Sequence, residues 1–264
     1  MKKMIHVSII VAILAIILLL CSLLNIKKKA TNSTIASEEN TEEQVDTTTI
    51  RVAKRVFNLI ILDESGSMGS IQREAITGVN ETIKTIKEAQ DQCPEQEQLF
   101  SLVTFSDPMG VETPHSIIDT TSIKKVHSIS AKEYSLNGVT ALLDAMGYAL
   151  TTLEKKVTAD DNVLVTIISD GLENASKDFD LPKIIALINR LSEGCWTFAY
   201  IGANQDSRGV AKSMNIENFL NFEADRRGTQ EMWRKERQSR AGYYRKSRVR
   251  SSKDAMEKGY FLDD

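Results

Sequence analysis

Residues 56–62 form an apolar run, Val56, Phe57, Leu59, Ile60, Ile61 and Leu62, broken only by Asn58, and the chain passes straight from it into Asp63, Glu64, Ser65, Gly66 and Ser67. A run of this length with little polar alternation is the pattern of a strand covered on both faces, which belongs to parallel sheets sandwiched between helices. The carboxylate and two hydroxyls that follow sit on a tight turn at the strand's C-terminal end, so hard oxygen donors are set at a sheet edge. That arrangement is a seat for a metal ion.

Two later segments complete it. Asn137-Gly138-Val139-Thr140 opens a helical pattern, and Ser169-Asp170-Gly171 closes a second apolar run over Val163, Leu164, Val165, Ile167 and Ile168. In an open parallel sheet the carboxyl ends of the strands line one edge, where loops distant in sequence converge on one crevice. Hydroxyls and carboxylates suit hard divalent ions such as magnesium, manganese or calcium, whereas zinc or copper would want Cys or His. The chain has no CxxC or HExxH, and His6, His115 and His127 lie outside these segments.

Asp63 to Ser67 as DESGS, Thr140 within NGVTAL and Asp170 within SDG together resemble the metal-ion-dependent adhesion site of von Willebrand factor type A domains. The resemblance covers roughly residues 55–222, with the three elements in the family's order. It implies that Ser65, Ser67 and Thr140 lie in or beside the ion's ligand shell, that Asp63 and Asp170 touch the ion directly or through water, and that a vacant position accepts an acidic side chain from a protein partner. One departure is Val139, where many relatives carry a second Gly; it bears on the path of the loop before Thr140. Two blander readings stand beside this one. Ser67 or Ser70 would serve as a cap for a helix starting near Ile71, and a site of this kind could hold metal without any partner.

The fold class follows from the rest of the chain. Positions Ile71, Ala75, Val79, Ile83 and Ile86 recur at helical spacing, Leu99–Phe105 reads as a strand, and a short strand lies near Ser116–Asp119. A helix led by Thr140, the strand ending at Asp170, a helix over Leu181–Leu191, a strand over Trp196–Ile201, a short helix over Asp206–Met214 and an edge strand over Phe219–Phe222 complete an alternating α/β pattern. Such alternation predicts a doubly wound, mostly parallel, Rossmann-like six-stranded sheet with helices on both faces. The family resemblance implies strand order 3-2-1-4-5-6 with the third strand antiparallel. On that order Cys93 and Cys195 stand three strand spacings apart, roughly 14 Å, too far for a disulfide.

Four regions are expected: a membrane anchor or signal segment over 1–29, an acidic Ser/Thr-rich linker over 30–50, the α/β domain over 51–225 and a basic tail over 226–264. Met4 to Ile26 contains no Lys, Arg, Asp or Glu, and as a helix its length of roughly 34 Å spans a hydrocarbon core. Leu23, Leu24, Asn25 and Ile26 offer no small-x-small cleavage site, which favours a retained single-pass anchor over a cleaved signal. The very short amino-terminal tail favours a domain on the extracytoplasmic side. Residues 30–49 hold almost nothing to bury and read as a flexible tether.

The net charge of −3 hides a polarity: Arg51–Asp225 carries −9 and Arg226–Asp264 carries +6. The acidic domain suits a cation and argues against nucleic acid on its surface. The tail mixes Lys and Arg with Trp233, Tyr243 and Tyr244, which admits three readings. It could dock on the domain as a helix capped near Thr229, with Met232, Trp233 and Tyr244 inward and its arginines reaching into water. It could instead lie on an anionic membrane, or bind nucleic acid through Arg234, Arg237, Arg245 and Arg248.

The function these features favour is a membrane-tethered, non-enzymatic module that captures an Asp or Glu of a protein partner through a divalent cation. A metal-dependent hydrolase is the rival from another class, since a strand-end Asp can attack phosphate. Such enzymes usually carry a second Asp two positions on, where this chain has Ser65, and neither GxSxG nor GxxxxGK occurs.

Overall fold

The computed structural model describes residues 53–106, 115–203, 206–247 and 259–261. The apolar segment 4–26, the linker 30–50 and Arg248 lie outside the described residues. Among the described residues no helix is long and apolar enough to cross a membrane.

Six strands form one sheet in the order β3-β2-β1-β4-β5-β6. They are β1 (Arg55–Asp63), β2 (Glu97–Phe105), β3 (His115–Ser122), β4 (Asn162–Ser169), β5 (Trp196–Ala203) and β6 (Asn218–Phe222). All pairings are parallel except β2 with β3, which is antiparallel and irregular in register. The expected order and the reversed third strand are therefore present. Each element expected between residues 55 and 222 appears, with ends displaced by at most three residues, as helix and strand termini usually are.

The sheet alternates its side chains between two cores, as a period of two residues requires. Val56, Ile60 and Leu62 of β1 face α1 (Gln72–Gln92), whose Ala75, Val79, Ile83 and Ile86 are buried at helical spacing. Phe57, Leu59 and Ile61 face the other way, toward α2 (Leu142–Glu154) and α3 (Leu181–Ser192). Each of these side chains adds about 1.5–3 kcal/mol by leaving water, and with helices on both sides β1 has no polar face to offer. Asp180 starts α3 by accepting from Lys183 N at 2.9 Å, with Pro182 in the first turn. The short α4 (Ser207–Ser213) begins the same way on Asp206. Cys93 and Cys195 form no disulfide.

The first part of the basic tail is a long helix, α5 (Arg226–Ser247), packed along α1. Asp225 caps it, accepting from Gly228 N at 2.6 Å; Thr229, expected at the cap, is already inside the helix. Met232, Trp233, Tyr243 and Tyr244 are buried as the docking reading requires. Arg240 departs from that reading. It reaches inward instead of out to water and is fully buried, donating to Glu236 Oε1 at 2.7 Å, Thr166 Oγ1 at 2.8 Å and Asn58 Oδ1 at 3.2 Å. Asn58, the polar interruption in β1, is there to meet it.

Candidate functional site

The topology brings the predicted residues to one place. The chain turns back across β1 after β3, so β1 and β4 are neighbours and their C-terminal ends form the switch point of the sheet. Leu62 pairs with Ile168, which sets Asp63 beside Ser169 and one residue from Asp170. Ser169 Oγ donates to Asp63 Oδ2 at 2.6 Å, and Ser65 N donates to Asp63 Oδ1 at 2.8 Å. Ser67 Oγ donates to Asp170 Oδ1 at 2.7 Å and stands 3.1 Å from Ser65 Oγ. Asp63, Ser65, Ser67 and Asp170 are thus joined in one hydrogen-bonded chain. Ser67 serves no helix cap, because its hydroxyl is turned to Asp170, and Ser70 Oγ donates to Ala224 O.

Thr140 arrives from the other side. Its Oγ1 would lie 2.7 Å from a Cβ placed on Gly171, so the absence of a side chain at Gly171 is what lets Thr140 close on the Asp170 turn. Reciprocal bonds, Thr140 N to Asn174 Oδ1 at 3.0 Å and Asn174 N to Thr140 O at 3.1 Å, clamp the two loops. The loop before Thr140 is tied to the β1 turn by Asn137 N to Glu64 O at 2.9 Å and Gly66 N to Gly138 O at 3.3 Å. Gly138 takes the left-handed turn at φ 68, which a side chain would disfavour. Val139 needs no such conformation, so the missing second glycine leaves the loop path intact. Helix α2 begins at Leu142, two residues after Thr140.

Two residues of this neighbourhood carry roles the sequence reading did not assign. Ser169 orients Asp63, and Tyr134 OH donates to the Asp63 carbonyl oxygen at 2.6 Å. Ser169 was legible as the last residue of an apolar strand beside Asp170; Tyr134 lies in an irregular segment with no periodic signal.

The acidic groups of the site are held away from water. Burial pushes the Asp63 carboxyl above its ordinary range against the hydrogen bonds of Ser169 and Ser65, and the charge of Asp170 pushes the same way. Burial likewise raises Asp170 despite the bond from Ser67. Glu64 is pushed up to about 7 by burial and by Asp63, opposed by a hydrogen bond from Thr104. Tyr134 is raised by burial and by the three carboxylates. Each shift has desolvation as its first cause, the penalty of holding anions away from water.

These residues fit a divalent cation. Two carboxylates and three neutral hydroxyls form an oxygen-only donor set at one sheet edge, the chemistry hard ions prefer. Among the described residues no three His, Cys, Asp or Glu side chains gather as a metal-holding group, so a cation here would depend on the hydroxyls of Ser65, Ser67 and Thr140.

Comparison with known proteins agrees with this architecture. Residues 59–173 match the family model for the von Willebrand factor type A domain. Among solved structures, the D319A mutant of the PilB minor pilin from Streptococcus sanguinis is 14% identical with a TM-score of 0.51, over 74% of this chain and 64% of the pilin, so less than two thirds of that chain is spanned. The SpRpn10 VWA domain is 12% identical with a TM-score of 0.47, over 69% of this chain and 94% of that one. The manganese-loaded Plasmodium vivax TRAP protein is 16% identical with a TM-score of 0.45, over 66% and 70%. At such identities the likeness concerns the fold alone. No curated protein sequence matches this chain.

Proposed function

We propose that the von Willebrand factor type A domain carried by this chain is a non-enzymatic binding module, tethered to a membrane by Met4–Ile26, that captures an acidic group of a protein partner through a divalent cation. The observation that carries the reading is the linked set of Asp63, Ser65, Ser67 and Asp170, with Thr140 closed over Gly171. A magnesium, manganese or calcium ion bound there would supply a Lewis-acidic seat for one more carboxylate oxygen. Asp63 and Asp170 would balance its charge, and the three hydroxyls would hold it without cancelling its remaining affinity for an anion. Ser169 and Tyr134 keep the β1 turn in place beneath it.

A nucleophilic role for Asp63 is disfavoured, because it is wholly buried and both its oxygens already accept hydrogen bonds. The tail is disfavoured as the principal binding element for lipid or nucleic acid. Arg240 is inside the protein, Arg234 pairs with Glu231 at 2.6 Å, and Arg237 pairs with Glu81. The acidic charge of the domain fits a protein partner better than nucleic acid.

The test is capture of binding proteins by the full-length chain in magnesium, in chelator, and with Asp63→Ala. Capture should fall at least tenfold in the second and third arms. Undiminished capture in both sinks the reading.

A further inference from the structure

We infer that the partner of this site presents its carboxylate with a bulky apolar residue beside it, on a segment that needs no further charge. The inference rests on the cation-bridged reading above and concerns what surrounds the ion. Four large hydrophobic side chains are exposed among the described residues, and two of them stand at this cleft: Val139 at 46% and Leu172 at 63%. Val139 directly precedes Thr140, and Leu172 directly follows Gly171, the two residues whose atoms meet across the cleft.

Neither exposure is a consequence of slack loops. The segment around Leu172 is pinned on its far side by Glu173, which accepts from Leu143 N, Ala175 N and Ser176 N at 2.7–2.9 Å, and by the Asn174–Thr140 clamp. Val139 sits between Gly138, whose carbonyl is bonded to Gly66 N, and the clamped Thr140. Two aliphatic side chains are therefore held in water on hydrogen-bonded turns, each next in sequence to one member of the Thr140–Gly171 contact. Holding them there forgoes the gain that burying each would bring, and a partner's apolar side chain would recover it.

The charge distribution points to the same occupant. Residues 65–70, 137–140 and 171–174 contain one ionisable side chain, Glu173, and it is used up in capping α2. Glu64 is buried behind the turn. Within these three turns the cleft offers no second charge to select a basic or a multiply acidic ligand. What it offers is a single cation-borne acceptor position flanked by aliphatic surface, which fits an Asp or Glu between apolar neighbours on a polypeptide.

The experiment uses the full chain with manganese and two synthetic peptides, one with a single Asp flanked by Leu on both sides and one with the same Asp flanked by Ser. Wild type should bind the Leu-flanked peptide roughly tenfold more tightly, the effect of burying about one leucine. Leu172→Ser and Val139→Ser should each bring the two peptides toward parity while leaving manganese affinity and the Ser-flanked peptide unchanged. Equal affinity of wild type for both peptides, or a preference that survives both substitutions, overturns the inference while the cation reading stands. Failure of the wild type to bind manganese at all removes the cation reading, and this inference with it.

Discussion

Replacing Arg240 with Met keeps a long flexible side chain in the same space but strands a charge. In the native protein the guanidinium and the Glu236 carboxylate are both fully buried and 2.7 Å apart. After Arg240→Met, Glu236 keeps only Tyr260 OH at 3.0 Å and Thr82 Oγ1 at 3.5 Å. Asn58 Oδ1 still accepts from Tyr244 OH at 2.7 Å, so that part of the network survives. Breaking one side of a buried ion pair costs about 3–5 kcal/mol, most of it the penalty on the remaining charge. Against a total stability of about 5–15 kcal/mol that is a large share, and for a domain of this size it lowers the melting temperature by roughly 6–20 °C. Arg240→Met with Glu236→Met leaves no charge behind and should lie within about 2 kcal/mol of wild type. Urea denaturation followed by tryptophan fluorescence measures all three, with exposed Arg226→Met as the reference. A loss below about 1 kcal/mol for Arg240→Met, equal to the reference, would refute the argument: the guanidinium would then be reaching water, and α5 would be a loosely held tail.

The contact between α1 and α5 makes a second prediction with an unusual sign. An Ala in a helix interior is normally worth about 1 kcal/mol over Gly, but a Cβ on Gly78 would meet the Trp233 ring at 1.9 Å. Gly78→Ala should therefore destabilise by about 1–3 kcal/mol and shift tryptophan emission to the red; a gain in stability with unchanged emission counts against the packing. Asp161 predicts a pH dependence. Burial works to raise its carboxyl, but bonds from Arg55 Nη2 at 2.6 Å, Arg55 Nε at 2.8 Å and Thr158 outweigh it and hold the group below the ordinary aspartate range. A lowered folded-state pKa contributes stability that is complete above the unfolded value and fades as pH falls through the folded one. Asp161→Asn should thus cost about 1–2 kcal/mol at pH 7, with the gap to wild type closing as the medium becomes more acidic than the ordinary aspartate pKa. Denaturation midpoints across a pH series measure this, and a gap that stays constant down to pH 3 is the contrary result.

Much of this protein is written locally. The unbroken burial of β1 and β4 on both faces follows from their apolar runs, and the amphipathic spacing of α1 follows from Ile71, Ala75, Val79, Ile83 and Ile86. The oxygen donors were legible because each stands at the end of such an element, and parallel strands put those ends on one edge. The α5 helix shows where local pattern fails. Its buried face, through Met232, Trp233, Glu236, Arg240, Tyr243 and Tyr244, has helical spacing, but two of those residues are charged and composition assigns them to water. Glu236 one turn away, with Asn58 and Thr166 across the interface, makes the inward position of Arg240 tolerable, since a buried charge must find its partners.

The sequence by itself determined the order of strands and helices, the two apolar faces of the sheet and the oxygen character of the cleft, because periodicity and donor chemistry are properties of neighbouring residues. Tertiary structure alone decided that Ser169 and Tyr134 would brace Asp63, that Gly171 would admit Thr140 and Gly78 admit Trp233, and that Val139 and Leu172 would stand out at the cleft's rim. Those outcomes depend on which atoms meet across more than thirty residues of chain, and no local pattern carries that information.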